Sequence, residues 1–540
     1  MILLDENSTT VQTTIADRAH SFMMKLCTIP NNGICFQDNG WHERINNNLE
    51  WSSDGPYLFN PLLSKLLLEL KIVDDLKQRE LFLAIIKACP ELVEQFWKKA
   101  SHLSFEPRSS IYYISNIALA TSVINMDIPV HFGTRMHSDN LNPYPPSMSV
   151  ALSNIMPSPL TRAISSKALQ HSARDVRFAC GKQLVTSFQK LERVLEESSN
   201  FLRLVQMDGR LSEEELENVA LKWAGWKASL LQGVQAQLPD SNLIILHLQK
   251  SLVEESEQDG ISEFDLYLVH LELLHYYQLF HSVHLRGNRF DFGKLLASRS
   301  FQCIDNQDAS LKCQLVDILV RFDDFKWWNK SLSVDGSKVK SSCFSVLLNW
   351  YIAGRNDGNS SHFLEMLDKL FQNLFEPLLF FQGHRQQAAV FWDTFFKYSK
   401  AESVFNFVEN VFTRNAASSI VVIDSAITFK RGNCPDATEF PFAPIVLPLL
   451  GGFGNADGID QNLFLCDLIM NFCFKTRISD IQLFRKAIET SLGSSPSPNN
   501  ILNCFLAWLD VISGKKSSSK FLKKLPWKNG IDYCIYLSFY

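Results

Sequence analysis

The stretch from Leu81 to Ile114, LFLAIIKACPELVEQFWKKASHLSFEPRSSIYYI, constrains this chain more than any other. It reads as helix, break, helix, break, helix. Leu81, Ile85 and Ala88 fall on one face of the first helix. Pro90 cannot continue that helix but suits the first turn of the next. Leu92, Val93, Phe96, Trp97 and Ala100 form a second apolar stripe at helical spacing. Glu106-Pro107 opens a third helix, with Ile111, Ile114, Ala118, Thr121 and Ile124 as its stripe. Helices this short are not stable alone, because nucleation is costly. They must pack on one another and on the rest of the chain. The expected fold is all-α, an α-solenoid of HEAT/armadillo-like antiparallel helix pairs of roughly 40–47 residues each.

The rest of the chain carries the same rhythm. Residues 1–14 are polar and read as a flexible N-terminus. A helix is predicted over 14–27, with Ile15, Ala19, Phe22 and Leu26 on one side, and another over 60–71 with Leu62, Leu66 and Leu70 as its stripe. Residues 126–148 form a Pro-rich loop, either solvent-facing or a partner-binding excursion. Helices follow at 150–155 and 160–170. Beyond them Asp175, Val176, Arg177, Cys180 and Leu184 resemble the inner helix of a HEAT repeat, with Asp175 at the positive helix start. Further helices are expected at 212–233, 241–254, 261–283, 309–320, 341–353, 361–375, 384–413, 460–474, 478–490 and 500–513. Breaks are expected at 331–340, 354–360, 431–458 and 491–499. Ile420 to Phe429 is β-branched enough to leave helix and strand both open.

Gly 23 and Pro 20 are few for 540 residues, so long loops should be scarce, and Phe 40 spread along the chain argues for a continuous core. A net charge of −5 excludes a protein that binds nucleic acid over its whole surface; RNA contact would need local patches. The 12 cysteines include no C-x-x-C pair and no zinc-finger spacing. Most, such as Cys89, Cys180, Cys466, Cys473 and Cys504, sit in apolar helical runs and read as buried free thiols of a reducing compartment. The longest uncharged stretches are broken by prolines, so no membrane span is expected.

No motif makes a complete active site. Asp291-Phe292-Gly293 lacks the other parts of a kinase, and Gly451-Gly452-Phe453-Gly454 lacks the lysine of a P-loop, so both read as turns. His270, His281 and His284 share a helix side with Glu272, but without a metalloenzyme signature they read as a polar helix edge. The expectation is no enzymatic activity, no metal, no cofactor and no small-molecule substrate. Basic residues with interleaved aromatics are more informative. Lys515, Lys516, Lys520, Lys523, Lys524 and Lys528 lie in an acid-free run with Phe521 and Trp527, suited to phosphate neutralisation and base stacking or to a nuclear address. Lys98, Lys99 and Arg108 beside Trp97 make a second candidate contact for RNA or a partner.

Three stretches resemble one family. They are ADRAHSFMMKLC with GICFQDNGW (Ala16 to Trp41), Ile85 to Leu119, and Pro157 to Leu191, with a weaker echo at Arg289 to Leu296. They are similar to the nucleolar pre-ribosomal-associated protein 1 family. The likeness covers residues 15–375, thinning after 195, and sets a family-like domain there, with further helical repeats over 376–540, a loop at 431–458 and the basic stretch at 514–528. It implies a nuclear, nucleolar scaffold of early large-subunit ribosome assembly and precursor-rRNA processing. Its implied partners are precursor ribosomal RNA and other assembly factors, including RNA helicases. Members are several times longer, so this chain is expected to be a fragment, a truncated gene product or a short form. The residues alone also fit a helical-repeat adaptor in transport or trafficking that never meets RNA.

Overall fold

The structure is a computed structural model. It describes residues 14–36, 40–42, 60–129, 132–133, 144–208, 211–251, 262–286, 296, 308–320, 331–333, 340–357, 361–435, 440, 442–454, 459–475, 482–492, 505–506 and 509–510. The described residues are overwhelmingly helical. The one sheet among them is a short antiparallel pair, β1 (Ser331–Ser333) and β2 (Lys340–Ser342), which starts in the predicted break at 331–340 and takes the first two residues of the helix expected at 341–353. The chain divides into two compact units, Met1–Phe290 and Asp291–Tyr540.

In the first unit the opening stretch is three helices: α3 (Leu76–Ala88), α4 (Leu92–Lys99) and α5 (Ile111–Ile124). They follow α1 (Ile15–Thr28) and α2 (Pro61–Glu69). Local chemistry sets the starts. Thr14 and Asp17 make a reciprocal capping box at α1, and Asp75 accepts from the Lys77 and Gln78 amides at α3. α5 begins at Ile111, not at Pro107, because the Ser110 hydroxyl caps it by accepting from the Tyr113 amide. The eleven residues between α4 and α5 are stitched down instead: Leu103 and Phe105 are buried, and Asn116 donates to the Ser104 carbonyl at 2.8 Å.

The α4 stripe is as expected, with Leu92, Val93, Phe96, Trp97 and Ala100 all buried. Three other stripes are out of phase. α5 buries Tyr113, Ile117, Ala120 and Ile124 and leaves Ile111 84% exposed. α2 buries Leu63 and Leu67, with Leu62 exposed. α1 turns Ile15 and Phe22 outward and buries Cys27. Each of these helices carries apolar residues on more than one face, so periodicity alone does not select the buried one.

α6 (Met148–Ile155), α7 (Arg162–Leu169), α8 (Arg174–Asp208), α9 (Glu213–Gln237), α10 (Ser241–Ser251) and α11 (Glu263–Arg286) complete the unit. α8 is its axis, 35 residues long, packed by α5, α7 and α11. Val176, Cys180 and Leu184, singled out for their HEAT-like spacing, are buried there. Phe132, Gly133 and Pro146 of the Pro-rich loop are buried, while Asp127 is exposed. Phe132 stands 5.7 Å from Trp41 and 5.7 Å from Trp223, His42 Nε2 donates to the Phe132 carbonyl, and Trp226 Nε1 donates to the Pro146 carbonyl at 2.9 Å. Phe132 and Pro146 form a clasp on an aromatic cluster, not a solvent-facing excursion.

The second unit holds α12 (Asp308–Val320), α13 (Cys343–Asp357), α14 (Ser361–Phe375), α15 (Arg385–Tyr398), α16 (Glu402–Ala417), α17 (Ser419–Asn433), α18 (Val446–Leu450), α19 (Ile459–Lys475) and α20 (Gln482–Leu492). Phe344, Phe371, Phe375, Phe380, Phe391, Trp392 and Phe412 pack as one aromatic core. The helix expected over 384–413 is two helices. Phe391 and Phe395 face this core from α15, while Val404, Val408 and Phe412 bury from α16. At about 100° per residue, an unbroken helix would aim Val404 opposite to Phe395. The break at 399–401 rephases the stripe. Ile420 to Phe429 is helical, with Val422, Ala426 and Phe429 buried at helical spacing. The expected loop at 431–458 contains α18 and a 3-10 turn over Gly451–Gly454, held where Gln461 Nε2 donates to the Gly452 carbonyl.

Candidate partner-binding surfaces

The corner between α4 and α5 holds the first basic candidates. Lys98 and Lys99 occupy the last turn of α4, where cations oppose the negative helix end, and both are exposed because Phe96 and Trp97 take the buried face. Lys98 Nζ pairs with Glu94 one turn back at 2.5 Å. Arg108 is exposed in the connection that follows. Nearby, Lys167 pairs with Glu106 at 3.0 Å, and the Ser109 hydroxyl donates to Asp175 at 3.2 Å, tying the connection to α7 and α8. Lys98 and Lys99 are therefore neighbours on one turn, and Arg108 stands across the connection. Tyr112, 67% exposed, and Ile111 lie outward in the first turn of α5. Sequence reasoning missed Ile111 as a surface residue because it placed the α5 stripe in the wrong phase. Lys515, Lys516, Lys520, Lys523, Lys524 and Lys528 lie outside the described residues.

The histidine cluster is not a polar edge at His270. That side chain is fully buried, its Nδ1 donates to the Leu266 carbonyl at 2.6 Å, and it stacks on His247 at 5.5 Å. Burial pushes its pKa down to about 4, so it is neutral at physiological pH. Glu272 faces elsewhere, receiving Gln189 and pairing with Lys182. The side chains of His281 and His284 lie outside the described residues, as does Asp291-Phe292-Gly293. Among the described residues no group of three or more His, Cys, Asp or Glu can hold a metal ion, and no helix is long and apolar enough to cross a membrane.

Cys27, Cys35, Cys89, Cys180, Cys343, Cys466 and Cys473 are buried; Cys504 lies outside the described residues. Burial raises the thiol pKa of Cys180 to about 12 and that of Cys473 to about 12, which removes them as nucleophiles. Cys35 and Cys89 approach to 3.6 Å between sulfurs. An open groove of about 490 Å³ between α8 and α11 is lined by Leu195, Leu279 and Phe280 together with Glu192 and Glu196. It holds no nucleophile–base pair, and its form suits a peptide more than a reaction centre.

Residues 3–116 match the family described as ribosome 60S biogenesis N-terminal. This segment contains α1 to α4 and the exposed basic corner. Over 321 residues, 58% of this chain, the sequence is 22% identical to "Nucleolar pre-ribosomal-associated protein 1" of Saccharomyces cerevisiae. The chain covers 16% of that relative's length. No solved structure matches it. The N-terminal region of this chain, with its α1-to-α4 packing and its buried Phe96 and Trp97, is thus similar to the ribosome 60S biogenesis N-terminal family over residues 3–116.

Proposed function

We propose that the chain is a non-enzymatic nucleolar scaffold acting in early 60S ribosomal subunit biogenesis and precursor-rRNA processing. The observation that carries this reading is the match of residues 3–116 to the 60S biogenesis family. The similarity to a nucleolar pre-ribosomal-associated protein supports the nucleolar address. The domain division read from the resemblance, 15–375 and 376–540, belongs to the same reading and marks where the likeness fades.

The mechanism is geometric. Helix pairs in a HEAT/armadillo-like array contact mainly their neighbours and offer long surfaces. Packing of α1 on α3, α2 on α4 and α4 on α6 is compatible with such an array. Lys98, Lys99 and Arg108 would contact precursor rRNA or an assembly factor such as an RNA helicase. The lysines of 515–528 would add a second, salt-dependent contact. Immature RNA domains are held together while no bond is made or broken.

The test is in-cell crosslinking of the full chain to RNA with mapping of the crosslinked peptides, beside sedimentation of nuclear extract. Crosslinks at 98–112 or 515–528 and co-migration with large-subunit precursors, lost on RNase treatment, support the proposal. Cytoplasmic complexes without precursor RNA would leave the adaptor reading in its place.

A further inference from the structure

α1 presents its apolar stripe to the outside. Ile15 is 87% exposed, Phe22 64% and Ile29, just past the helix end, 42%. Ala19 is exposed between them and Leu26 is half-buried. These five residues recur at alternating spacings of four and three, the seam of a two-stranded helical pairing. The opposite face anchors the helix. Asp17 pairs with Lys77 at 2.5 Å, His20 lies 3.3 Å from Glu80, and Cys27 is fully buried. The outward stripe is therefore not a core face left open by a rotated helix, because the inward face is already used.

The edges of this ridge differ. Arg18 and Lys25, one heptad apart and both exposed, run along one side; Ala16 and Met23 run along the other. A ridge with one basic edge fits a partner with acid beside its apolar residues. It fits a second copy of this chain poorly. An antiparallel pair of α1 helices sets Arg18 against Lys25, and a parallel pair leaves both facing Ala16 and Met23.

We propose that α1 is a docking ridge for one amphipathic helix of a partner protein, seated on Ile15, Ala19, Phe22, Leu26 and Ile29, with acidic residues facing Arg18 and Lys25. The inference is independent of RNA binding. It assigns a helix-recognition surface to the outward face of α1, whose other face packs on α3.

The full chain is titrated, by fluorescence anisotropy at low salt, against a labelled monomeric helical peptide of three heptads. Its seam is leucine and its flanking positions are glutamate. Saturable binding is expected, and the same peptide with lysine at the flanks should bind about fivefold more weakly or worse. Arg18→Glu with Lys25→Glu should invert that order. Phe22→Asp should weaken both by about tenfold or more. Its exposed position preserves the fold, which circular dichroism checks. Absent binding, equal binding of the two peptides, or indifference to Phe22→Asp would overturn the proposal. Dimerisation of the chain alone that is lost in Phe22→Asp would assign the ridge to a second copy instead. Binding seen only after deletion of residues 1–13 would assign it to the chain's own start.

Discussion

The Lys190 ammonium lies 5.4 Å from the centroid of the Trp41 ring, and both side chains are 1% exposed. Lys190 also donates to the Met126 carbonyl just beyond α5. Three segments far apart in sequence meet at this one charge: Trp41 of the aromatic cluster, the residues just past α5 and the middle of α8. Burial is the main cause lowering its pKa to about 7; Arg193 lowers it further and Asp127 opposes them.

That pairing predicts a pH dependence. The unfolded chain keeps this lysine protonated up to about its ordinary 10.5, whereas the folded chain releases the proton near 7. Between those values the unfolded state binds more protons, so stability rises with pH, by at most about 1.4 kcal/mol per pH unit from this group. Below pH 7 both states are protonated and the contribution is flat. Lys190→Met should remove this share of the slope. Chemical denaturation at several pH values between 6.5 and 10 checks it, and an unchanged slope in the variant would reject it.

Trp97 is 3% exposed and packs edge-on against Phe96 at 5.0 Å and Phe105 at 6.2 Å. Trp97→Ala should cost about 3–5 kcal/mol through lost burial and a residual cavity. The measurement is the denaturation midpoint of the full chain. A fold left intact while partner binding weakens would move Trp97 from the core to an interface.

Gly133 has no room for a side chain. A Cβ there would sit 2.3 Å from the Phe201 ring, itself 5.4 Å from Trp223 in the aromatic cluster. Gly133→Ala should destabilise by about 1–3 kcal/mol, since the ring must move against packed neighbours. Gly225 has nothing within 4 Å of the corresponding position and sits inside α9, so Gly225→Ala should be neutral or stabilising by up to about 1 kcal/mol. Thermal melts of the two variants should move in opposite directions.

Lys98→Ala removes an exposed ion pair with Glu94 and should change stability by no more than about 0.5 kcal/mol. Replacing Lys98, Lys99 and Arg108 together by Glu should leave the melting temperature within a few degrees. If the corner contacts RNA, the same change should abolish crosslinks at 98–112. Loss of the fold instead would show that the corner is structural.

The sequence by itself determined that this chain is helical and where most helices lie. Proline breaks, caps such as Thr14 with Asp17, and apolar spacing act locally. It also determined the α4 face, because Lys98 and Lys99 close one side and leave a single apolar stripe. Tertiary structure alone decided the faces of α1, α2 and α5, where apolar residues surround more of the helix and only the neighbouring helix chooses among them. It decided the break at 399–401, since local preference does not register that Phe395 and Val404 must face one core. It drew parts of the Pro-rich loop inward, because a Trp41, Trp223 and Trp226 cluster gains more from covering Phe132 than solvent does. The exposed ridge of α1 follows from the same distinction: the residues specify an apolar stripe, and the anchoring of Asp17 and His20 on α3 decides that it points outward.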